Sequence, residues 1–165
     1  MSDISVIARH AVTVLAGQLA VMAFGVTDTI VAGRFSADAL AALSVASAVF
    51  VSVYVSLMGV LQALLPVWAE QHGRGETAAI GQSFRQSLYL AAAASVLGMG
   101  VLLFPEPLLR LTEVPDAMRE SVRDYLIIVG WALPSALFFR LYTTLNQALG
   151  RPQLVTWIQV GALVL

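Results

Sequence analysis

Two charged side chains stand inside stretches of this sequence that otherwise carry none. Asp28 lies in the apolar run 11–32, and Arg140 lies in the run 125–150. In a helix over 11–32, Asp28 falls four residues from one end, roughly 6 Å deep at 1.5 Å per residue. A charge deep in a lipid-embedded helix costs at least about 2.5–3.5 kcal/mol, and less near an end. A carboxylate in such surroundings pairs with a cation or takes up a proton. Helical spacing gathers Gln18, Met22, Gly25, Asp28 and Thr29 on one stripe, polar or narrow enough to line a cavity. Intramembrane carboxylates mark ion and proton paths, so the functional reading of Asp28 is the stronger one. The competing reading is structural: an aspartate too short to snorkel, yet near enough to the interface to find water.

Arg140 lies ten residues from Gly150, or roughly 15 Å along a helix. Pro134, six residues upstream, removes a helix hydrogen bond and is expected to kink the span. Arg140 can pair with an acid, hold a carbonyl opened by the kink, or extend its stem toward the interface. The structural role is the stronger reading. Asn146 and Gln147 can line the same cavity as Asp28 or join helices by hydrogen bonds. In the second run, Ser44, Ala48, Ser52 and Ser56 recur every four residues, a ridge of small residues suited to close helix packing. His10 and His72 have no metal-ligand partner at helical spacing and read as ordinary solvated histidines.

The elements that must position these groups follow from the composition. The chain has 165 residues, 59% hydrophobic and only 12% charged, with a mean hydropathy of +0.84. A soluble domain needs about twice that share of charge to make a wettable surface. Lipid is therefore the expected solvent. The net charge of −1 argues against a nucleic-acid partner. All nine basic residues are arginine, and the absence of cysteine excludes disulfides and thiolate chemistry.

Crossing the hydrocarbon takes about 20 helical residues. Charge-poor runs at 11–32, 39–68, 78–104 and 122–149 give four complete spans, and 153–165 gives part of a fifth. The fold class is an all-α polytopic membrane protein. The first run is too long for a cleaved leader and continues directly into further spans. Gly33 is expected to close the first helix in a left-handed cap, and Ser36 to cap the second, with Asp38 in its first turn. Pro66 ends the second span, and Trp68 suits the headgroup level. Gly73-Arg74-Gly75 makes a turn, and a third helix starts at Thr77 with Ile80, Phe84 and Leu88 on one stripe. Pro105 and Pro107 end it. Alternating acids and arginines over 116–124 fit a solvated helix that feeds the fourth span, which Gly150 ends. Pro152 opens the fifth.

Arg9, Arg74, Arg85 and Arg151 fall on one side of the membrane, and Arg34, Arg110, Arg119 and Arg123 on the other. The positive-inside rule therefore does not decide the orientation. No HExxH pair, nucleophile elbow or phosphate-binding glycine loop is present, so the chain does not read as an enzyme.

The run Phe24-Gly25-Val26-Thr27-Asp28-Thr29-Ile30-Val31-Ala32-Gly33, followed by Ala39-Leu40-Ala41-Ala42, resembles the first helix and loop of MATE (multidrug and toxic compound extrusion) transporters. Gln71-His72-Gly73-Arg74-Gly75 resembles the family's loop between its second and third helices. Leu133-Pro134-Ser135-Ala136-Leu137-Phe138-Phe139-Arg140 and Asn146-Gln147-Ala148-Leu149-Gly150-Arg151-Pro152 resemble its proline-kinked fourth helix and the turn into the fifth. The order and spacing of these stretches, over essentially the whole chain, carry the resemblance.

The resemblance implies a twelve-helix antiporter in two six-helix lobes, with a cytoplasmic amino terminus. Such proteins expel small organic, often cationic, drug-like compounds in exchange for H⁺ or Na⁺, with no cofactor beyond that coupling ion. It implies that Asp28 binds or exchanges the coupling cation, and it suggests a bacterial inner membrane. Four and a half helices of twelve read as most of an amino-terminal lobe, whose other partner is the missing carboxy-terminal half. The 165-residue piece alone is not expected to drive antiport. Two other readings stay open: a lipid-linked saccharide flippase of the same superfamily, and a truncated membrane remnant or assembly subunit that only inserts and packs.

Overall fold

The structure is a computed structural model that describes residues 3–111 and 115–151, together with Val155, Trp157, Ile158 and Gly161. The described residues are helical throughout, apart from short joints. The helices are α1 (Asp3–Phe35), α2 (Ala37–Gln62), α3 (Leu64–Gly73), α4 (Thr77–Leu103), α5 (Glu106–Leu111) and α6 (Asp116–Ala148). Four segments are long and apolar enough to cross a membrane: Leu15–Phe35, Ala37–Gly73, Thr77–Leu103 and Met118–Ala148. The fifth span expected at 153–165 lies largely outside the described residues.

The joints show which local signals decide a helix end. Gly33 does not close α1. It stays helical, and α1 runs on to Phe35. The break falls at Ser36, whose backbone is extended (φ −166°, ψ 160°) and whose Oγ accepts the Ala39 N–H at 2.9 Å. That one hydroxyl satisfies an orphan donor of α2, so no left-handed glycine is needed. At the other two ends glycine does the work. Gly75 (φ 74°) and Gly150 (φ 67°) each follow a helix whose last carbonyls accept from the two residues beyond the cap. Glu76 N–H donates to Gln71 O and Gly75 N–H to His72 O; Arg151 N–H donates to Asn146 O and Gly150 N–H to Gln147 O. Both are Schellman motifs, which require the left-handed backbone that glycine adopts without strain.

The expected single helix over 39–68 is two helices. Pro66 has no N–H to offer the Gln62 carbonyl, and its ring crowds that oxygen. The chain breaks at Ala63, and Pro66 then sits in the first turn of α3, where proline is tolerated. Pro66 thus bends the span and lets it continue to Gly73. Pro134 breaks nothing: α6 runs through it. Pro105 precedes the short α5, and Pro107 stands in its first turn, where the missing N–H costs nothing.

α6 is the central element. It packs against α2, α4 and α3, while α1 packs chiefly on α2. The tightest approach is at Gly98 on α4, where an added Cβ would overlap the side chains of Leu57 and Leu133. Gly130 on α6 similarly faces Leu102. Without side chains at these points, the leucines of the neighbouring helices pack directly onto the glycines and gain close dispersion contact. The buried set around them includes Ala46, Leu61, Ala91, Leu102, Leu133 and Leu137.

Two expectations about faces are corrected. Trp68 does not lie at a lipid headgroup. It is 0% exposed, donates Nε1–H to Ser83 Oγ at 3.0 Å, and tilts over Phe84 with ring centroids 6.1 Å apart. This contact clips α3 to the first turns of α4, and the stripe of Ile80, Phe84 and Leu88 faces the same core. The Ser44–Ala48–Ser52–Ser56 ridge points outward from the described bundle. Its hydroxyls turn back onto their own helix, Ser44 to Leu40 O, Ser52 to Ala48 O and Ser56 to Ser52 O, each at 2.8 Å. The face of α2 that packs inward carries Ala42, Ala46 and Val49 instead.

Candidate functional site

A cavity of about 530 Å³ opens where the last turns of α1, the first turns of α2 and the first turns of α6 meet. Its walls are Asp28, Val31, Ala32 and Phe35 from α1, Ala39, Ala42 and Leu43 from α2, and Ser121 and Tyr125 from α6. Asp28 is the only ionisable carboxylate among them. Its carboxyl is exposed and makes no hydrogen bond or ion pair among the described residues.

The local sequence explains why it is free. Thr27 and Thr29 flank Asp28, and each hydroxyl is tied to a carbonyl one turn back: Thr27 to Ala23 O at 2.9 Å and Thr29 to Gly25 O at 2.8 Å. Neither hydroxyl is left directed at the carboxylate. The Ser36 cap turns the chain within one residue and sets Ala39, Ala42 and Leu43 opposite Asp28. Chemically, the arrangement is a bare carboxylate in a largely apolar recess with one hydroxyl, one phenol and the ring of Phe35. It can take a proton, a monovalent metal ion or the positive group of an organic molecule. Among the described residues no three metal-ligating side chains gather.

The other sequence-selected residues are placed elsewhere. Gln18, Gly25 and Thr29 are exposed on α1 and do not line the cavity. Asn146 is buried and donates Nδ2–H to the Tyr142 carbonyl at 2.8 Å, and Gln147 is half-buried beside it. Both sit at the far end of α6, 21 and 22 residues beyond Tyr125, which is roughly 30 Å at 1.5 Å per residue. The fold does not bring them to Asp28. Pro134 is half-buried midway along α6. Sequence reasoning did not find Phe35, Ser121 or Tyr125 as cavity walls. The available signal was weak: Ser121 and Tyr125 are spaced i, i+4, but charged residues on both sides disguised that face as a solvated one.

Arg140 meets none of the partners the sequence suggested. Its Nη2 donates to Oε1 of Gln62 at 2.8 Å, across from the α2–α3 break. Thr144 Oγ1 lies 3.5 Å from the same oxygen and donates to the Arg140 carbonyl at 3.0 Å. Charged groups elsewhere pair at the surface: Arg74 with Glu70, Arg119 with Asp116, and Arg123 with Glu106.

Four helices long and apolar enough to cross a membrane define a polytopic α-helical membrane protein. The MatE family model matches residues 14–165, and the chain belongs to that family. It is 38% identical over 91% of its length to the probable multidrug resistance protein NorM of Aromatoleum aromaticum. It is 28% identical over its whole length to the protein of the same name from Neisseria meningitidis serogroup B, and 35% identical over 79% of its length to multidrug resistance protein MdtK of Pectobacterium atrosepticum. The chain spans about a third of the length of these curated relatives: 32%, 36% and 29%. No solved structure matches it.

Proposed function

We propose that this chain forms most of the amino-terminal lobe of a cation-coupled antiporter in a bacterial inner membrane, exporting small organic, often cationic, compounds. Asp28 carries the coupling ion, H⁺ or Na⁺, and no other cofactor takes part. The amino terminus is cytoplasmic, and the drug path is completed by the part of the protein that corresponds to the remaining two-thirds of the relatives.

The observation that carries this reading is the Asp28 cavity. One carboxylate, unpartnered among the described residues, stands in a largely apolar recess. A structural aspartate in a membrane helix would be held by a donor or a cation, because an unpaired charge there is costly. A coupling carboxylate has to be left free, since its occupant must come and go. The names of the relatives, multidrug resistance proteins, point to the same class of substrate.

The test uses the complete reading frame, expressed in bacteria and assayed as ethidium efflux in everted vesicles. Asp28→Asn keeps the shape and removes the exchangeable charge. The expected result is loss of coupled efflux to the background of empty vesicles, with membrane insertion unchanged. Efflux at the wild-type rate would refute the assignment. Transport of a lipid-linked saccharide that dyes do not inhibit would favour a flippase instead.

A further inference from the structure

Arg140 is the only arginine within the apolar length of α6. Eight residues separate it from Ala148 and fifteen from Tyr125, roughly 12 Å and 23 Å along the axis. A guanidinium stays charged and offers five N–H donors. Among the described residues only one of them is used, Nη2 to the neutral Oε1 of Gln62. Among the same residues Nε is enclosed with no acceptor, and Arg140 has no ion pair. One amide oxygen, also approached by the Thr144 hydroxyl, does little to balance a full charge away from bulk water.

Among the described residues no acid lies within ion-pair distance of Arg140. The acids of the α1–α2 and α5–α6 connections belong to the opposite end of the bundle. Glu70, at the near end, is taken by Arg74 at 2.6 Å. A lipid phosphate is poorly placed as well. In the structure the guanidinium is turned onto α2, where it meets the Gln62 Oε1 that Thr144 also approaches, and is not extended toward a surface. The anion that fits is one delivered from within the membrane.

We propose that Arg140 is the receiving half of an intramembrane ion pair whose carboxylate is carried by a membrane-spanning segment outside α1–α6. The chain spans about a third of the length of its relatives, so proteins of this kind have sequence beyond the matched part from which such a segment can come. A carboxylate approaches from the Nη end, because Nε is sealed, and its two oxygens suit the paired Nη donors. Gln62 and Thr144 then hold the guanidinium in position for it. This is a site of assembly, independent of the coupling role of Asp28.

The experiment follows thermal unfolding of the purified product of the complete reading frame in nanodiscs, not transport, so its failure is distinct from failure of the Asp28 reading. Arg140→Gln and Arg140→Glu are each expected to lower the melting temperature by at least about 5 °C, the reversal more than the neutral change. In the Arg140→Glu background, each acidic residue in membrane segments beyond α6 is changed in turn to arginine. One reversal is expected to restore at least half of the lost temperature. The proposal is overturned if Arg140→Gln melts with the wild type, or if no reversal restores Arg140→Glu. It is also overturned if only changes at Gln62 or Thr144 restore it, which would mean a neutral latch. A reading frame with no further acidic membrane segment overturns it too. So does a deficit seen with anionic lipid but absent in pure phosphatidylcholine, which would assign the anion to headgroups.

Discussion

Asp28 on α1 and Arg140 on α6 each stand in an otherwise uncharged stretch of a long apolar helix, and the two charges live under opposite conditions. α6 is held by α2, α3 and α4, with leucine side chains packed directly onto Gly98 and Gly130. Its arginine is half-buried, directed at one neighbour and sealed at Nε. α1 leans mainly on α2, and its Leu19, Met22, Val26 and Ile30 are all more than half exposed. Its aspartate faces an open recess with no partner among the described residues. A charge embedded in tight packing has few arrangements available and serves assembly. A charge on a loosely attached helix can exchange its occupant, and the helix can move when it does. On the reading proposed above, the first arrangement suits a structural ion and the second an exchangeable one.

The contrast can be broken by mutations that measure packing directly. Gly98→Val forces a branched side chain between Leu57 and Leu133 and should cost about 1–3 kcal/mol, read as lost thermal stability in detergent. Trp68→Phe removes the Nε1–Ser83 bond and leaves a smaller ring; about 1–2 kcal/mol is expected, with α3 losing amide-exchange protection first. Ser36→Ala frees the Ala39 N–H and should cost about 1 kcal/mol, visible as fraying of the first turn of α2 by the same measurement. Gly25→Ala on α1 meets nothing within 4 Å, so a change within about 0.5 kcal/mol is expected. If Gly98→Val and Gly25→Ala proved equally damaging, the two helices would not differ in the way described.

Much of the helix pattern was legible before any coordinates. The start of α4 at Thr77, the Ser36 cap, the turn at Gly75 and the stop at Gly150 all follow from residues whose effect is local. A cap, a missing N–H or a left-handed glycine acts on backbone within one turn, so sequence spacing is enough to place it. Pro66 shows the limit of this. The break it makes was foreseeable, but whether the helix stops or bends depends on what awaits beyond it, and Trp68 finds a pocket between α3 and α4.

Faces were not legible, and lipid is the reason. In water an apolar stripe points to the core; in a bilayer both the lipid side and the packed side are apolar, so periodicity no longer says which is which. The serine ridge of α2 therefore looked like a packing seam and faces outward, while the packed face is marked by alanines. For the same reason Asn146 and Gln147 were grouped with Asp28 by polarity alone, although the length of α6 separates them.

Sequence alone determined the solvent, the four spans, most helix ends and the aspartate worth noticing, because charge cost and backbone chemistry act through short range and composition. Tertiary structure decided that α6 is the hub, that Gly98 is the crossing point, that Gln62 is what Arg140 reaches, and that Phe35, Ser121 and Tyr125 surround Asp28. Those are contacts between residues far apart in the chain, fixed by which surfaces fit at contact distance, and shape complementarity leaves no periodic mark in the order of the residues.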